Sequence, residues 1–251
     1  MTNYTQWKSL VDLHEYSAIP DGLGLQYSAT TWSENDSEWQ DDTDTSNMSN
    51  MSSFSEATLS DGSDAIEGDG VDDHGLIPLP DDFEGDSLKE FAIEFCVQYD
   101  DDTGSAWHVL GFSDEDSGQW IQATLNQDNF DDSAGNLTFR LEDTNGNVLQ
   151  ASPESNPNLD DGQRHDVSII VSDSTNSNMS IVIDGNDQNL NFNDQGDPFE
   201  FTVWSDDLPT WARRRPDIEQ NAPIKIGAFR FWTEDPSEQT INEYPGEGGL
   251  L

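Results

Sequence analysis

The clearest pattern in the chain is strict alternation in short runs. In Phe91-Ala-Ile-Glu-Phe-Cys-Val97 the residues Phe91, Ile93, Phe95 and Val97 share one side of an extended backbone. Leu137, Phe139 and Leu141 do the same, as do Val167, Ile169 and Val171, and Met179, Ile181 and Ile183. Period-2 alternation of this kind is what a strand with one buried face requires. Trp107–Phe112, Trp120–Leu125, Phe199–Trp204 and Ile224–Trp232 add four further strands. Asp143-Thr-Asn-Gly-Asn147 and Asp184-Gly185 carry the residues of tight hairpin turns. No stretch beyond residue 54 shows ten residues of helical periodicity. The pattern predicts one all-β domain over 54–251, a two-sheet antiparallel sandwich of jelly-roll type.

The first 53 residues read differently. In 1–32 the residues Trp7, Leu10, Val11, Leu13, Tyr16, Ile19, Leu23, Leu25, Tyr27 and Trp32 recur without one period, and Asp21-Gly22 and Gly24 interrupt them. This predicts an ordered N-terminal docking arm with a helical turn or two between Gln6 and Glu15. From Ser33 to Ser53 the apolar residues are Trp39, Met48 and Met51, set among six acids and many Ser, Thr and Asn. That is the composition of a linker or extended strap. An ordered Trp39 would have to be buried against something, such as a neighbouring subunit.

Charge changes the picture. The 251 residues hold 52 Asp and Glu against 9 Lys and Arg, a formal net charge of −43. Self-repulsion on this scale opposes compaction, and it excludes nucleic acid and anionic membrane surfaces, which both demand a basic patch. Intrinsic disorder would suit so much acid, but not 8 Trp, 12 Phe and 5 Tyr in ordered alternation. The composition resembles that of haloarchaeal proteins: at molar salt the Debye length is about 3 Å, and the repulsion is screened. The single cysteine, Cys96, excludes an intramolecular disulfide and reads as a small buried residue. There is no run of 18 apolar residues, so no membrane insertion is expected, and the first residues carry no export signal.

Several segments together resemble the laminin-G-like branch of the concanavalin A-like lectin/glucanase jelly-roll superfamily. Gly68-Asp-Gly-Val-Asp-Asp-His-Gly-Leu-Ile-Pro-Leu-Pro80 is similar to that family's opening turn and strand, and Phe91–Val97 to its next strand, with cysteine where tryptophan is common. Leu159-Asp-Asp-Gly-Gln-Arg-His165 leading into Val171, then Met179–Gly185, resembles its histidine-bearing strand and the hairpin that follows, with Arg164 at an aromatic position. Ile224-Lys-Ile-Gly-Ala228 is similar to its late strand. The resemblance covers about residues 57–232 and departs after Trp232, where the family continues through another strand. The arm, in cis or from a neighbouring copy, is expected to cover the edge this leaves open.

This superfamily includes lectins, glycan hydrolases and packing modules, so chemistry must come from residues. Cleavage of glycans by this fold uses carboxylates grouped on one strand as E-x-D-x-x-E, which is missing; Glu94 stands alone in its strand. An enzyme is not expected. His14, His74, His108 and His165 are scattered, which argues against a transition-metal site; His165 is expected to serve structure at a sheet edge. No cofactor is required. Ca²⁺ is the ion the acid-rich turns leave open, with Asp69, Asp72 and Asp73 as the candidate ligands, although Asp pairs occur throughout this composition. Trp107, Trp120, Trp204 and Trp232 could stack on sugars or lie in the core, whereas Trp211 is expected outside the core, in a segment, Leu208–Pro216, between strands. Arg213, Arg214 and Arg215 gather a third of the basic residues beside Trp211, either paired with Asp206 and Asp207 or forming an interface knob. Trp7, Trp32, Trp211 and the three arginines are the partner-binding candidates.

These readings lead to an expected role as a structural protein on the exterior of a haloarchaeal virus particle, assembled in the cytoplasm of a halophilic host. It would be a capsid decoration, turret, or tail-fibre subunit, bound to other virion proteins, a homo-oligomer such as a trimer, with a jelly roll facing host surface glycans. The alternatives are a free halophilic lectin and a divergent glycoside hydrolase. The charge itself makes a prediction: far-UV circular dichroism in molar KCl shows β structure, and dialysis into dilute buffer abolishes it. Retention of the spectrum without salt would contradict the screening argument.

Overall fold

The computed structural model describes residues 23–34, 36–42, 47–52, 54–68, 74–76, 87–88, 90–99, 107–114, 119–125, 135–143, 145–172, 179–195, 201–202, 210–211 and 224–232. In chain order the strands are β1 (Leu23–Ser28), β2 (Ser49–Ser52), β3 (Ser55–Thr58), β4 (Asp64–Glu67), β5 (His74–Leu76), β6 (Ser87–Leu88), β7 (Phe91–Gln98), β8 (Trp107–Asp114) and β9 (Gln119–Leu125). They continue as β10 (Leu137–Glu142), β11 (Val148–Pro153), β12 (Arg164–Val171), β13 (Met179–Ile183), β14 (Asn186–Asp187), β15 (Leu190–Gln195), β16 (Phe201–Thr202), β17 (Thr210–Trp211) and β18 (Lys225–Trp232). The first sheet runs β14-β13-β12-β7-β18-β4-β3, with β1 also alongside β18. The second runs β15-β11-β10-β9-β8-β17-β5-β2, and β6 pairs with β16. All pairings among the described strands are antiparallel. The fold is therefore the all-β, two-sheet jelly-roll sandwich that the alternation predicts.

The alternating residues meet between the sheets. Phe91, Ile93, Phe95 and Val97 of β7 join one buried cluster with Ile121, Ala123 and Leu125 of β9 and Leu137, Phe139 and Leu141 of β10. Phe91 and Phe231 stack with centroids 5.9 Å apart. In β18 the alternation changes phase: Ile226 lies opposite Val97, Ala228 opposite Cys96, and Phe229 opposite Phe95. Gly227 is the extra residue of a bulge. A Cβ there would stand 2.9 Å from Leu59 Cδ1 and 3.3 Å from Cys96 Sγ, so glycine permits the close approach. Cys96 is buried as expected, and burial, then the nearby Asp166, pushes its thiol far above the usual range.

Both hairpin turns form. Asp143 Oδ1 accepts from the backbone N–H groups of Asn145 at 2.8 Å and Asn147 at 2.9 Å, and Gly146 takes φ +78° between β10 and β11. Asp184 and Gly185 take φ +50° and +71°, the two positive values that a type I′ turn needs.

The N-terminal segments are built into the sandwich. β1 pairs with β18 from Leu23 opposite Trp232 to Ser28 opposite Ala228, so the end of the arm covers that edge in cis. Residues 1–22, with Trp7 and the turn expected at Gln6–Glu15, lie outside the described residues. Trp39 of the strap is fully buried, against its own chain instead of a neighbour. Its indole N–H donates to the Ser28 carbonyl at 2.7 Å, and its ring lies 5.5 Å from that of Tyr27. Trp39 bridges Met48, and Met48 and Met51 fill the space over Gly75, where any Cβ would run into the sulfur of Met48. Tyr27, Trp32, Trp39, Met48, Met51 and Phe54 all belong to the core cluster.

Trp39→Ala should therefore cost about 3–5 kcal/mol of stability, read from urea unfolding in molar KCl. A loss of only ~0.5 kcal/mol, typical of surface positions, would show that the strap lies on the core without supporting it.

Candidate functional site

Each sheet has a face turned away from the core, and both carry buried polar groups. On the first sheet, β7 contributes Glu94, β12 Ser168, β18 Arg230 and Trp232, and β1 Gln26. Glu94 is 0% exposed and Arg230 1%. The Trp232 indole donates to Glu94 Oε2 at 2.7 Å, the Ser168 hydroxyl donates to Oε1 at 3.2 Å, and Arg230 Nη1 lies 3.5 Å from Oε2. Arg230 Nε also donates to Gln26 Oε1 at 3.0 Å. A buried ion pair is sustained only when its remaining hydrogen-bonding capacity is met. Glu94 has both oxygens engaged, and the group is a structural tie between the arm and the sheet.

A second charged group closes one end of the first sheet. Arg164 pairs with Asp61 at 2.5 Å and Asp166 at 2.9 Å. His165, 8% exposed, has Nδ1 2.8 Å from Asp184 Oδ2 and Nε2 3.1 Å from Asp161 Oδ1. Its strand, β12, lies between β7 and β13. The expectation of a histidine at a sheet edge is corrected: it ties a turn and a loop across the end of an interior strand. Burial pushes Asp61 up, but hydrogen bonds from Ser63 and pairing with Arg164 outweigh it and hold the carboxyl below its usual range. Asp161 is also held low, first by the Gln163 backbone N–H. Burial raises Asp166.

The second sheet's outward face has another character. Gln122 and Thr124 of β9, Thr138 and Arg140 of β10, and Gln150 and Ser152 of β11 alternate with the core residues. Register places Gln122 and Gln150 on either side of Arg140, with Asn193 of β15 next to Gln150 and Asn191 next to Ser152. Gln122, Thr138, Gln150 and Ser152 are 2%, 1%, 3% and 1% exposed. Gln122 Nε2, Thr138 Oγ1, Gln150 Nε2 and Ser152 Oγ are buried without a hydrogen-bond partner. Each such orphan costs about 1–3 kcal/mol, so four together approach the whole stability of a typical domain, about 5–15 kcal/mol. Groups arranged this way call for waters or ligand atoms. Arg140 Nη2 is engaged by Glu142 Oε2 at 2.6 Å, which leaves the row electrically balanced. This face is the candidate site, a floor of neutral amides and hydroxyls.

Of the sugar-stacking and partner-binding candidates singled out from sequence, Trp120 alone among the described strands falls at a register position on this side, opposite Glu142 of β10. Trp32 is 6% exposed in the core cluster, which leaves little of it for a partner. Trp232 is fully buried on Glu94, so it is no sugar platform. Trp107 and Trp120 lie in β8 and β9; Trp211, expected between strands, instead lies in β17, where its backbone pairs with β5 and β8, and the side chains of all three are outside the described residues. Trp7, Asp69, Asp72, Asp73, Trp204, Arg213, Arg214 and Arg215 also fall outside them. Among the described residues no group of three or more His, Cys, Asp or Glu is placed to hold a metal ion, and no helix is long and apolar enough to cross a membrane. The polar face was missed because Gln, Thr and Ser at the off-phase positions of a strand read as solvent-facing. Their only sequence signal is the near-absence of acid there.

No protein-family description and no curated protein matches the sequence. Solved structures do resemble the fold. The binding domain of Paraclostridial Mosquitocidal Protein 1 superimposes with a TM-score of 0.65 at 13% identity, over 87% of this chain and 50% of that one. The receptor binding domain of botulinum neurotoxin D gives 0.64 at 14% identity, over 92% and 56%. A Trypanosoma rangeli sialidase in complex with sialic acid gives 0.53 at 15% identity, over 91% and 33%. The chain thus spans about half, or a third, of the length of these structures, and the likeness establishes the β-sandwich fold.

The charged cluster at the end of the first sheet yields a pH dependence. A carboxyl held low in the fold adds stability above its unfolded value and loses it as pH falls through its folded value. Asp61→Asn should therefore lower the melting temperature at neutral pH, and the gap from wild type should close on acidification below the ordinary carboxylate range. A gap independent of pH would show that Asp61 contributes through shape alone.

Proposed function

We propose that the chain is a non-enzymatic carbohydrate-binding domain whose second sheet offers Gln122, Thr138, Gln150 and Ser152 to a neutral, hydroxyl-rich ligand. The observation that carries this reading is the set of four buried polar atoms without partners on one face. Amide N–H groups donate, and hydroxyls both donate and accept, which is the complement of a sugar's ring of hydroxyls. Neutrality follows from Arg140 being held by Glu142 and from a net charge of −43, which repels acidic ligands. At 1–3% exposure these groups are the floor of the proposed site instead of its surface.

The likeness to two toxin binding domains and to a sialidase holding a sugar supports a carbohydrate-recognition fold. Binding without cleavage is favoured because glycosidases need two carboxyl groups, about 5–9.5 Å apart, free to act on substrate. Glu94 is sealed by Ser168, Trp232 and Arg230, and Glu142 is engaged by Arg140. The fuller reading places the domain on the exterior of a virus particle of a halophilic host. Its support is the charge, which suits brine, and a fold suited to outward display.

The test is a glycan array in molar KCl with wild type and the Gln122→Ala/Gln150→Ala double variant. Neutral glycans should bind, and the variant should bind at least about fivefold more weakly, as two lost hydrogen bonds of about 0.5–1.5 kcal/mol each imply. Binding to no glycan, or equal binding by both proteins, would overturn the reading. Mass spectrometry of purified halophilic virus particles tests the placement separately; detection in cytosol alone would remove the particle and leave the sugar.

A further inference from the structure

The strands that end the two sheets are unequal. β14 is two residues long and carries Asp187, β3 carries the exposed Glu56, and the pairing of β2 with β5 is broken by an irregularity between Ser49 and Ser52. Short length, charge and bulges are the usual protections of an open edge. β15, Leu190-Asn-Phe-Asn-Asp-Gln195, is neither short nor bulged: it pairs with β11 over all six residues, and its one charge, Asp194, comes after the neutral stretch Leu190–Asn193. Among the described strands nothing pairs with its other edge. It also bears Phe192, the one large hydrophobic side chain exposed among the described residues, at 37%.

Register shows what Phe192 is doing there. It lies opposite Ala151, a fully buried core residue, so it stands on the core side of the sheet at its open margin. Leu190, on the same side, is partly buried against the core. Asn191 and Asn193 fall on the other side, in line with Ser152 and Gln150 of the polar face. The edge therefore carries an exposed apolar side chain on the core side and two asparagines in line with the polar floor on the other.

We infer that β15 pairs antiparallel with β15 of a second copy of this chain about a two-fold axis. An antiparallel strand edge is self-complementary under such an axis, so both partners offer the same row of N–H and C=O groups. A register centred on Asn191 or Phe192 keeps the core sides aligned and sets Phe192 against Leu190 or Phe192 of the second copy, with Asn191 against Asn191 or Asn193; one centred on Asn193 would set Phe192 against Asp194 and is disfavoured. The chemistry favours a copy over a cationic partner. In a chain of net charge −43 a basic protein would be drawn to acid, whereas Leu190–Asn193 is a neutral stretch where two like-charged copies can approach. The two second sheets become one continuous sheet, and the two polar floors meet at Asn191 and Asn193. A ligand long enough to cross the axis then gains from both.

The experiment is sedimentation velocity of the full chain in molar KCl, with circular dichroism on each sample. Wild type should be a dimer. Phe192→Asp, which sets like charges at the axis, should be a monomer with an unchanged spectrum, and Phe192→Leu, which keeps the apolar contact, should remain a dimer. A monomeric wild type, a trimer, or a dimer that survives Phe192→Asp would overturn the proposal. These outcomes are read without any ligand, so they stand apart from the fate of the carbohydrate reading.

Discussion

Strands β7 and β18 are buried on both faces, and the sandwich is organised around that pair. Their inward residues, Phe91, Ile93, Phe95, Phe229 and Phe231, form the centre of the core. Their outward residues, Ala92, Glu94, Cys96, Ala228, Arg230 and Trp232, are equally hidden. A strand with two buried faces must satisfy every polar group it carries. Glu94 meets this requirement across three strands, and Arg230 reaches Gln26 of β1. The N-terminal segment is thereby joined to the sheet by backbone pairing, by the Trp39 and Tyr27 rings, and by this buried polar link.

The same requirement separates the two outward faces by role. On the first sheet each oxygen of Glu94 has its donor, and the surrounding Ala92, Ile170 and Trp232 pack tightly. That arrangement gains nothing from a ligand. On the second sheet, Gln122, Thr138, Gln150 and Ser152 keep polar atoms unmatched inside the protein. Unmet hydrogen bonding is a standing cost that water or ligand atoms relieve, and the second sheet's outward face concentrates it in neutral amides and hydroxyls.

Charge acts at a different level from either face. With 52 acids in 251 residues, most of the surface repels its own copies, and salt sets the range of that repulsion. Neutral stretches then stand out. The polar floor and the β15 edge are two of them, and they adjoin: Asn191 and Asn193 continue the rows of Ser152 and Gln150. A protein so acidic can bring another copy of itself close only where acid has been left out.

The sequence alone determined the all-β class, because burying one face of a strand imposes a period of two on its side chains. It also determined the turns at Asp143–Asn147 and Asp184-Gly185, whose local geometry depends on few residues. Cys96 was legible as a buried residue for the same local reason. The tertiary structure alone decided what the off-phase positions do. Glu94 and Arg230 are 136 residues apart, and neither reveals the other until β7 and β18 lie side by side. The phase change at Gly227 is invisible until a bulge absorbs one residue, and the strap around Trp39 reads as linker until it closes over Tyr27. The polar face follows the same logic: Gln122, Thr138, Gln150 and Ser152 look like solvent-facing residues in any strand, and only their burial in the folded chain turns them into unmet hydrogen bonds. Periodicity is a property of neighbours in sequence, whereas satisfaction of a buried group depends on neighbours in space.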